Sequence, residues 1–199
     1  MRKIIFFTAL AFLCLNFYYI QLLHAQDLSN QKAKEITPIK PGQQLPNELW
    51  NFALTAISKH QEKQLFINDF RGKAIILDFW ASWCGVCLKK MPELDSVFRQ
   101  NSTSLQVLMI NAESASAKRP AITTFIRRYL TERPDFKSPV MLYNTAFKPY
   151  LPFKTVPHYV WIGADGCVKG ITGYEALTAE NIERFLNGVE ISLPSKIKV

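Results

Sequence analysis

The chain has 199 residues, 48% of them hydrophobic, with 24 Lys and Arg against 16 Asp and Glu for a formal net charge of +8. That length suits one domain with a proper core, without internal repeats or low-complexity tracts. The basic excess is spread out, its densest spot (Arg127-Arg128) reads as a solvated helix face, and no interleaving of aromatic and basic residues marks a nucleic-acid binder.

Met1-Arg2-Lys3 is a short basic segment, and Ile4 to Leu23 is uncharged and largely apolar. Residues 1–25 read as a secretory signal peptide, with Leu23-His24-Ala25 as the small-residue cleavage site. The run is also long enough for an uncleaved membrane anchor. Asn16, Tyr18 and Tyr19 interrupt it and favour cleavage. Either way the remainder is expected outside the cytoplasm, periplasmic or otherwise extracytoplasmic, where a disulfide is at home. Cleavage would remove Arg2 and Lys3 and leave a net charge of +6.

Residues 26–44 are polar, contain Pro38, Pro41 and Gly42, and read as a linker. The folded domain is expected over 45–190, with 191–199 as a tail. Two strands open it, Trp50–Leu54 and Gln64–Ile67, and Asp69–Lys73 turns the chain into the next. Ala74-Ile75-Ile76-Leu77 is short, apolar and β-branched, and so reads as a buried strand. It runs into Asp78-Phe79-Trp80-Ala81-Ser82-Trp83-Cys84-Gly85-Val86-Cys87. Helical spacing follows in Leu88, Met91, Leu94, Asp95, Val97 and Phe98, so the two cysteines sit where a strand ends and a helix begins.

Ser104–Asn111 predicts another buried strand. Ala117–Leu130 predicts a helix with Ile122, Phe125, Ile126 and Tyr129 on one face. Val140–Tyr143 predicts a short strand, and Asn144–Phe153 a short helix or loop. Asp165-Gly166 signals a hairpin between Tyr159–Ile162 and Cys167–Ile171. Thr178 is placed to cap a last helix through Ile182, Phe185 and Leu186, which Gly188 closes.

The placing of the cysteines carries the chemistry. A thiol at a helix N-terminus faces unpaired N–H groups and the positive end of the helix dipole, and both favour the reactive thiolate. A second sulfur one turn along can resolve a mixed disulfide formed at the first. Cys84 is therefore the expected nucleophile, with its sulfur exposed, and Cys87 the shielded resolving thiol. Too few Cys and His remain to complete a zinc site, so no metal and no cofactor are expected. Cys167 reads as a buried, unreactive thiol in a strand, and His158 as structural.

These motifs resemble thioredoxin, with Val86 where thioredoxin has proline. Pro92 matches the proline inside thioredoxin's helix, and Thr155-Val156-Pro157 before Tyr159–Ile162 is similar to its cis-proline loop and following strand. The leading hairpin, and the extra helix and strand between the cysteines and Val156-Pro157, resemble the secreted TlpA/ResA group. The resemblance spans roughly residues 41–188. It implies an α/β fold: a thioredoxin-like mixed β-sheet flanked by helices, with an N-terminal β-hairpin and a central insertion.

The resemblance also assigns roles. Asp78 becomes a buried proton carrier for Cys87, and burial should raise its pKa. Val156 would offer backbone groups to an extended substrate beside Cys84, with Pro157 in the cis form. Trp83, Gly85 and Val86 complete the substrate surface, while Trp80 packs beneath the helix. Some TlpA/ResA members have Asn at the position of Asp78 and a Glu at that of Lys90. Thioredoxin has a Lys on the neighbouring strand where this chain has Met109, so desolvation should dominate at Asp78. Lys90 is either a source of positive potential near Cys87 or, the commoner case, an exposed helical Lys.

The function implied is a thiol–disulfide oxidoreductase that reduces protein disulfides or cysteine pairs through its CGVC dithiol. Apocytochrome c is one candidate substrate, and a membrane electron carrier would recharge the protein. Two alternatives stand beside it: a disulfide-forming oxidant, and a Cu(I)-binding metal-delivery module using both cysteines. Peroxidase chemistry fits less well, because it typically uses one thiol in a Thr-containing loop.

Overall fold

The computed structural model describes residues 12–22, 36–113, 118–142 and 145–189. The chain divides into two compact units, Met1–Thr37 and Pro38–Val199. In the first, residues 12–22 form helix α1 with exposed side chains. Among the described residues no helix is long and apolar enough to cross a membrane. The expected cleavage site at 23–25 and the tail at 191–199 lie outside the described residues.

The second unit is built on one seven-stranded mixed sheet. Its strands are β1 Ala53–Ile57, β2 Glu62–Phe66, β3 Ala74–Trp80, β4 Leu105–Asn111, β5 Val140–Leu142, β6 His158–Ile162 and β7 Val168–Thr172. They lie in the order β2-β1-β5-β4-β3-β6-β7. β3, β4 and β5 run parallel, while the outer pairs are antiparallel. Every residue of β3 and β4 is buried, as expected of central strands covered on both faces. β2, at one edge, is largely exposed and carries Glu62 and Lys63, charges that discourage pairing with another chain.

Among the described residues four helices accompany the sheet: α2 Asn47–Trp50, α3 Gly85–Gln100, α4 Arg119–Thr131 and α5 Ala179–Leu186. α3, α4 and α5 lend Met91, Leu94, Ile122, Ile126, Ile182 and Phe185 to one core, together with Ile76, Val107 and Trp161. The other core joins Phe79, Leu108 and Val160 to Ile39, Leu49, Trp50 and Phe147. Each such side chain is worth roughly 1.5–3 kcal/mol in removal from water. Thr178 caps α5 by accepting the Asn181 N–H. At its other end Gly188, at φ +68, donates to the Phe185 carbonyl while Val189 donates to that of Arg184, which satisfies the last carbonyls.

The expected thioredoxin-like α/β fold, with its leading β1–β2 hairpin, is present, but several bounds move. Trp50 is not in a strand: it closes the helical turn that starts after Pro46, and β1 begins at Ala53. Ile67 belongs to a 3-10 turn, whose Asp69 side chain accepts the Phe66 N–H. The inserted strand β5 is not peripheral, because it joins the hairpin to β4. Residues 39–44, expected to belong to the linker, are docked. Ile39 is buried, its N–H donates to the Tyr150 carbonyl, and Gly42 N–H donates to that of Val168. Cys167 precedes β7, in an isolated bridge with Gln44, and is partly exposed rather than buried.

Candidate active site

β3 ends at Trp80, and three residues later the chain enters α3 with Cys84 as its N-cap. Cys84 and Cys87 form a disulfide with Cα atoms 5.2 Å apart. The Cys84 Sγ accepts the Cys87 backbone N–H at 3.2 Å. The sulfur thus occupies the place a Ser or Asp oxygen takes in an ordinary N-cap. The same N–H group and the helix dipole would favour negative charge there once the disulfide opens.

Exposure differs from expectation at Cys84. Its residue is only 7% exposed, against 0% for Cys87, so the order of access is as expected but the leading residue is largely covered. Both cysteines pack in the core on that face of the sheet. Trp83 (71%) and Val86 (43%) stand out to either side, with Gly85 exposed between the cysteines. Trp80 is buried in the core that holds Cys87 and Met91.

Asp78 is fully buried in β3, in register with Met109 of β4 and Tyr159 of β6. Strand alternation puts it on the face of Ile76 and Trp80, which pack in the same core as Cys84 and Cys87. Its carboxylate has no hydrogen-bond partner among the described residues. Desolvation pushes its pKa from 3.8 up to about 8. Tyr159 lies in the same core, its hydroxyl also unpartnered. Burial, and then the charge of Asp78, push its pKa well above the usual phenol value.

The Val156–Pro157 peptide bond is cis, as the resemblance implies. Val156 is partly buried against the core that contains both cysteines, and Pro157 is buried. His158 is buried, its ring stacked on Phe153 and tilted against Phe79, in keeping with a structural part. Lys90 does not stand free as a source of potential for Cys87, because its ammonium pairs with Glu93 one turn along. Pro92 lies inside α3.

Two acidic residues make contacts that the sequence does not assign, although Asp95 already stands in the expected stripe of α3. Glu113, just past β4, accepts the Ser82 backbone N–H at 2.5 Å. Asp95, buried in α3, accepts the N–H groups of Lys137 and Ser138, ahead of β5, and pairs with Arg99. The available signal was an acidic residue directly after a buried strand, and another on the apolar stripe of a helix.

The family model for AhpC/TSA proteins matches residues 41–145, more than half of the chain and including both cysteines and Asp78. The chain belongs to the AhpC/TSA family. Among curated relatives it is 27% identical over 110 residues to the thioredoxin-like protein YneN of Bacillus subtilis, covering 55% of this chain and 58% of that protein. It is 26% identical over 162 residues to the thiol-disulfide oxidoreductase ResA of Geobacillus kaustophilus, covering 78% of this chain and 82% of that one. The match spans only about half the length of the first curated relatives, 58% of YneN and 51% of a Bacillus thuringiensis ResA. Among solved structures, a thiol:disulfide interchange protein DsbE from Chlorobium tepidum superposes with a TM-score of 0.57 at 24% identity. That superposition covers 74% of this chain and 99% of the other, and it shows the shared thioredoxin fold. In this AhpC/TSA member the cysteines and Asp78 lie within the matched stretch, while β6, β7 and α5 lie beyond it.

Proposed function

We propose that the protein is a thiol–disulfide oxidoreductase that works outside the cytoplasm and reduces disulfides in protein substrates. One observation carries the reading: Cys84 and Cys87 are joined as a disulfide at the N-terminus of α3, with the Cys84 sulfur as the N-cap acceptor. Two cysteines one turn apart favour dithiol exchange over single-thiol peroxide chemistry. The names borne by the ResA and DsbE proteins support the same class. An extracytoplasmic site rests on residues 1–25 as a leader or anchor.

In the reduced protein the Cys84 thiolate attacks one sulfur of a substrate disulfide. A mixed disulfide forms, and the other substrate sulfur leaves as a thiolate that takes up a proton. Cys87 gives up its proton and attacks the Cys84 sulfur, which forms the Cys84–Cys87 bond and releases the substrate as a dithiol. Asp78 is the proposed proton acceptor, since a carboxyl titrating near pH 8 can exchange a proton with a thiol close to neutrality. Trp83, Gly85 and Val86 supply the rim against which a substrate lies, and Val156 a backbone edge for pairing. Two electrons pass from this protein to its substrate. A membrane electron carrier restores them, and cysteine pairs of apocytochrome c are a fitting target.

Mixed-disulfide trapping with Cys87→Ala tests this reading. Covalent capture of cysteine-bearing protein partners through Cys84 is expected. A freely reactive Cys84 that captures none would refute it. A reduction potential close to that of the strongest biological oxidants would reverse the direction of electron flow.

A further inference from the structure

The loop between β3 and α3 is held from outside by the end of β4. Ala112 N–H donates to the Trp80 carbonyl at 2.7 Å, which carries the β3–β4 pairing one residue past the strands. Beyond it, Glu113 turns back. Its own N–H donates to the Asn111 side-chain oxygen at 3.0 Å, and Asn111 Nδ2 donates to its carboxylate at 3.4 Å. Thus oriented, the carboxylate takes the Ser82 N–H, two residues before Cys84. Between Ser82 and Cys84 stands only the exposed Trp83, and Cys84 N–H closes the turn on the Ala81 carbonyl at 3.0 Å.

We propose that Glu113 is a positioning residue for the redox pair: by holding the Ser82 amide it keeps Trp83 and the Cys84 N-cap in place when the disulfide is open. The clamp matters most in the dithiol form. With the S–S bond present, Cys84 is tied to α3 covalently. With it broken, the thiolate stays over the Cys87 N–H only as long as the loop holds it there, and that hydrogen bond favours negative charge on the sulfur. Charge and position at Glu113 therefore act in opposite directions. A negative charge near the sulfur disfavours the thiolate, whereas the clamp favours it.

The groups facing Glu113 are Ser82, through its backbone and hydroxyl, Asn111, and the Lys118 ammonium. Partial burial opposes ionisation, but these hydrogen bonds and the Lys118 charge outweigh it and hold the carboxyl below the ordinary Glu range. Asp78, Cys87, Tyr129 and Tyr159 are titratable groups of the core in which Cys84 packs, and burial raises the pKa of Asp78 and of both tyrosines.

The inference rests on the dithiol-exchange reading, yet its test needs no substrate. In the reduced full-length protein, thiolate absorbance gives the Cys84 pKa, and amide hydrogen exchange reports on Ser82. Glu113→Ala should speed Ser82 exchange about tenfold, the loss of one charge-assisted hydrogen bond, and raise the Cys84 pKa by roughly half a unit. Glu113→Gln, which keeps an acceptor and loses the charge, should leave the pKa unchanged or lower it. Equal shifts in both variants, or none in Glu113→Ala, would overturn the proposal. Should Glu113→Ala fail to fold, acid titration of the unaltered protein decides the matter. Trp83 fluorescence should then change in a transition below the ordinary Glu range, and a featureless titration would count against the clamp. Failure of substrate trapping with an intact clamp would instead point to the exchange reading itself.

Discussion

Asp78 of β3 stands in register with Met109 of β4, so the carboxyl faces a thioether across that strand pair where a cation would stabilise its charge. Its pKa of about 8 follows from desolvation alone. Between pH 4 and 8 the folded protein keeps a proton that the unfolded chain releases. Stability is therefore fullest below pH 4, falls as pH rises toward 8, and levels off beyond. Asp78→Asn should raise stability at pH 7 by roughly 2–5 kcal/mol, with the gain shrinking toward zero near pH 4. Urea unfolding of the oxidised protein across this range checks it. A parent curve flat from pH 4 to 8 would mean that the carboxyl is hydrated.

The same residue should shape the kinetics. In Asp78→Asn, formation of the mixed disulfide at Cys84 should proceed at close to its normal rate while its resolution by Cys87 slows about 10²-fold, the lower end of what a positioned base contributes. Stopped-flow measurement with a single-turnover disulfide substrate separates the two steps. Equal slowing of both would remove Asp78 from the role of proton acceptor.

Trp83 is so exposed that Trp83→Ala should change stability by no more than about 0.5 kcal/mol. Turnover of a protein disulfide should drop through a higher KM, while reduction of a small aromatic disulfide is nearly unaffected. Parallel losses on both substrates would show that the indole acts on the sulfurs rather than on the partner.

Asp95 ties the middle of α3 to the segment entering β5. Asp95→Ala leaves two backbone N–H groups and the Arg99 guanidinium without their acceptor, and should cost about 3 kcal/mol. Guanidinium unfolding measures it, and a loss under 0.5 kcal/mol would mean that water replaces the carboxylate.

Thr178→Ala should cost about 1 kcal/mol by removing the α5 cap, and Gly188→Ala roughly 1–2 kcal/mol because Gly188 sits at positive φ. Thermal unfolding compares both with the parent, and no loss from either would place α5 outside the cooperative unit.

Much of this arrangement was legible in the chain because it is local. The run Ala74–Cys87 announces strand, turn and helix within fourteen residues, and the cap at Thr178 and the stop at Gly188 follow from single side chains. Trp50 misled because an aromatic near alternating apolar residues fits a strand, while the helical turn after Pro46 depends on its packing beside Leu49 in the core. The docking of Ile39–Gly42 was hidden because backbone hydrogen bonds to Tyr150 and Val168 leave no mark on polar, proline-rich sequence. Partners 31 and 43 residues away likewise concealed Glu113 and Asp95. The burial of Asp78 was expected from the resemblance, whereas strand alternation alone left its face open until β3 was placed between β4 and β6.

The cross-link between Cys84 and Cys87 spans a separation of only three residues. By the chain-entropy relation such a short ring restrains the unfolded chain by about 2 kcal/mol, less than half of what a hundred-residue ring would. Cys84 and Cys87 both pack in one core, but among many aliphatic and aromatic side chains, and the other core contains neither. The molecule can thus alternate between its two covalent forms as a reusable tool, with its architecture a bystander to the electrons that pass through it.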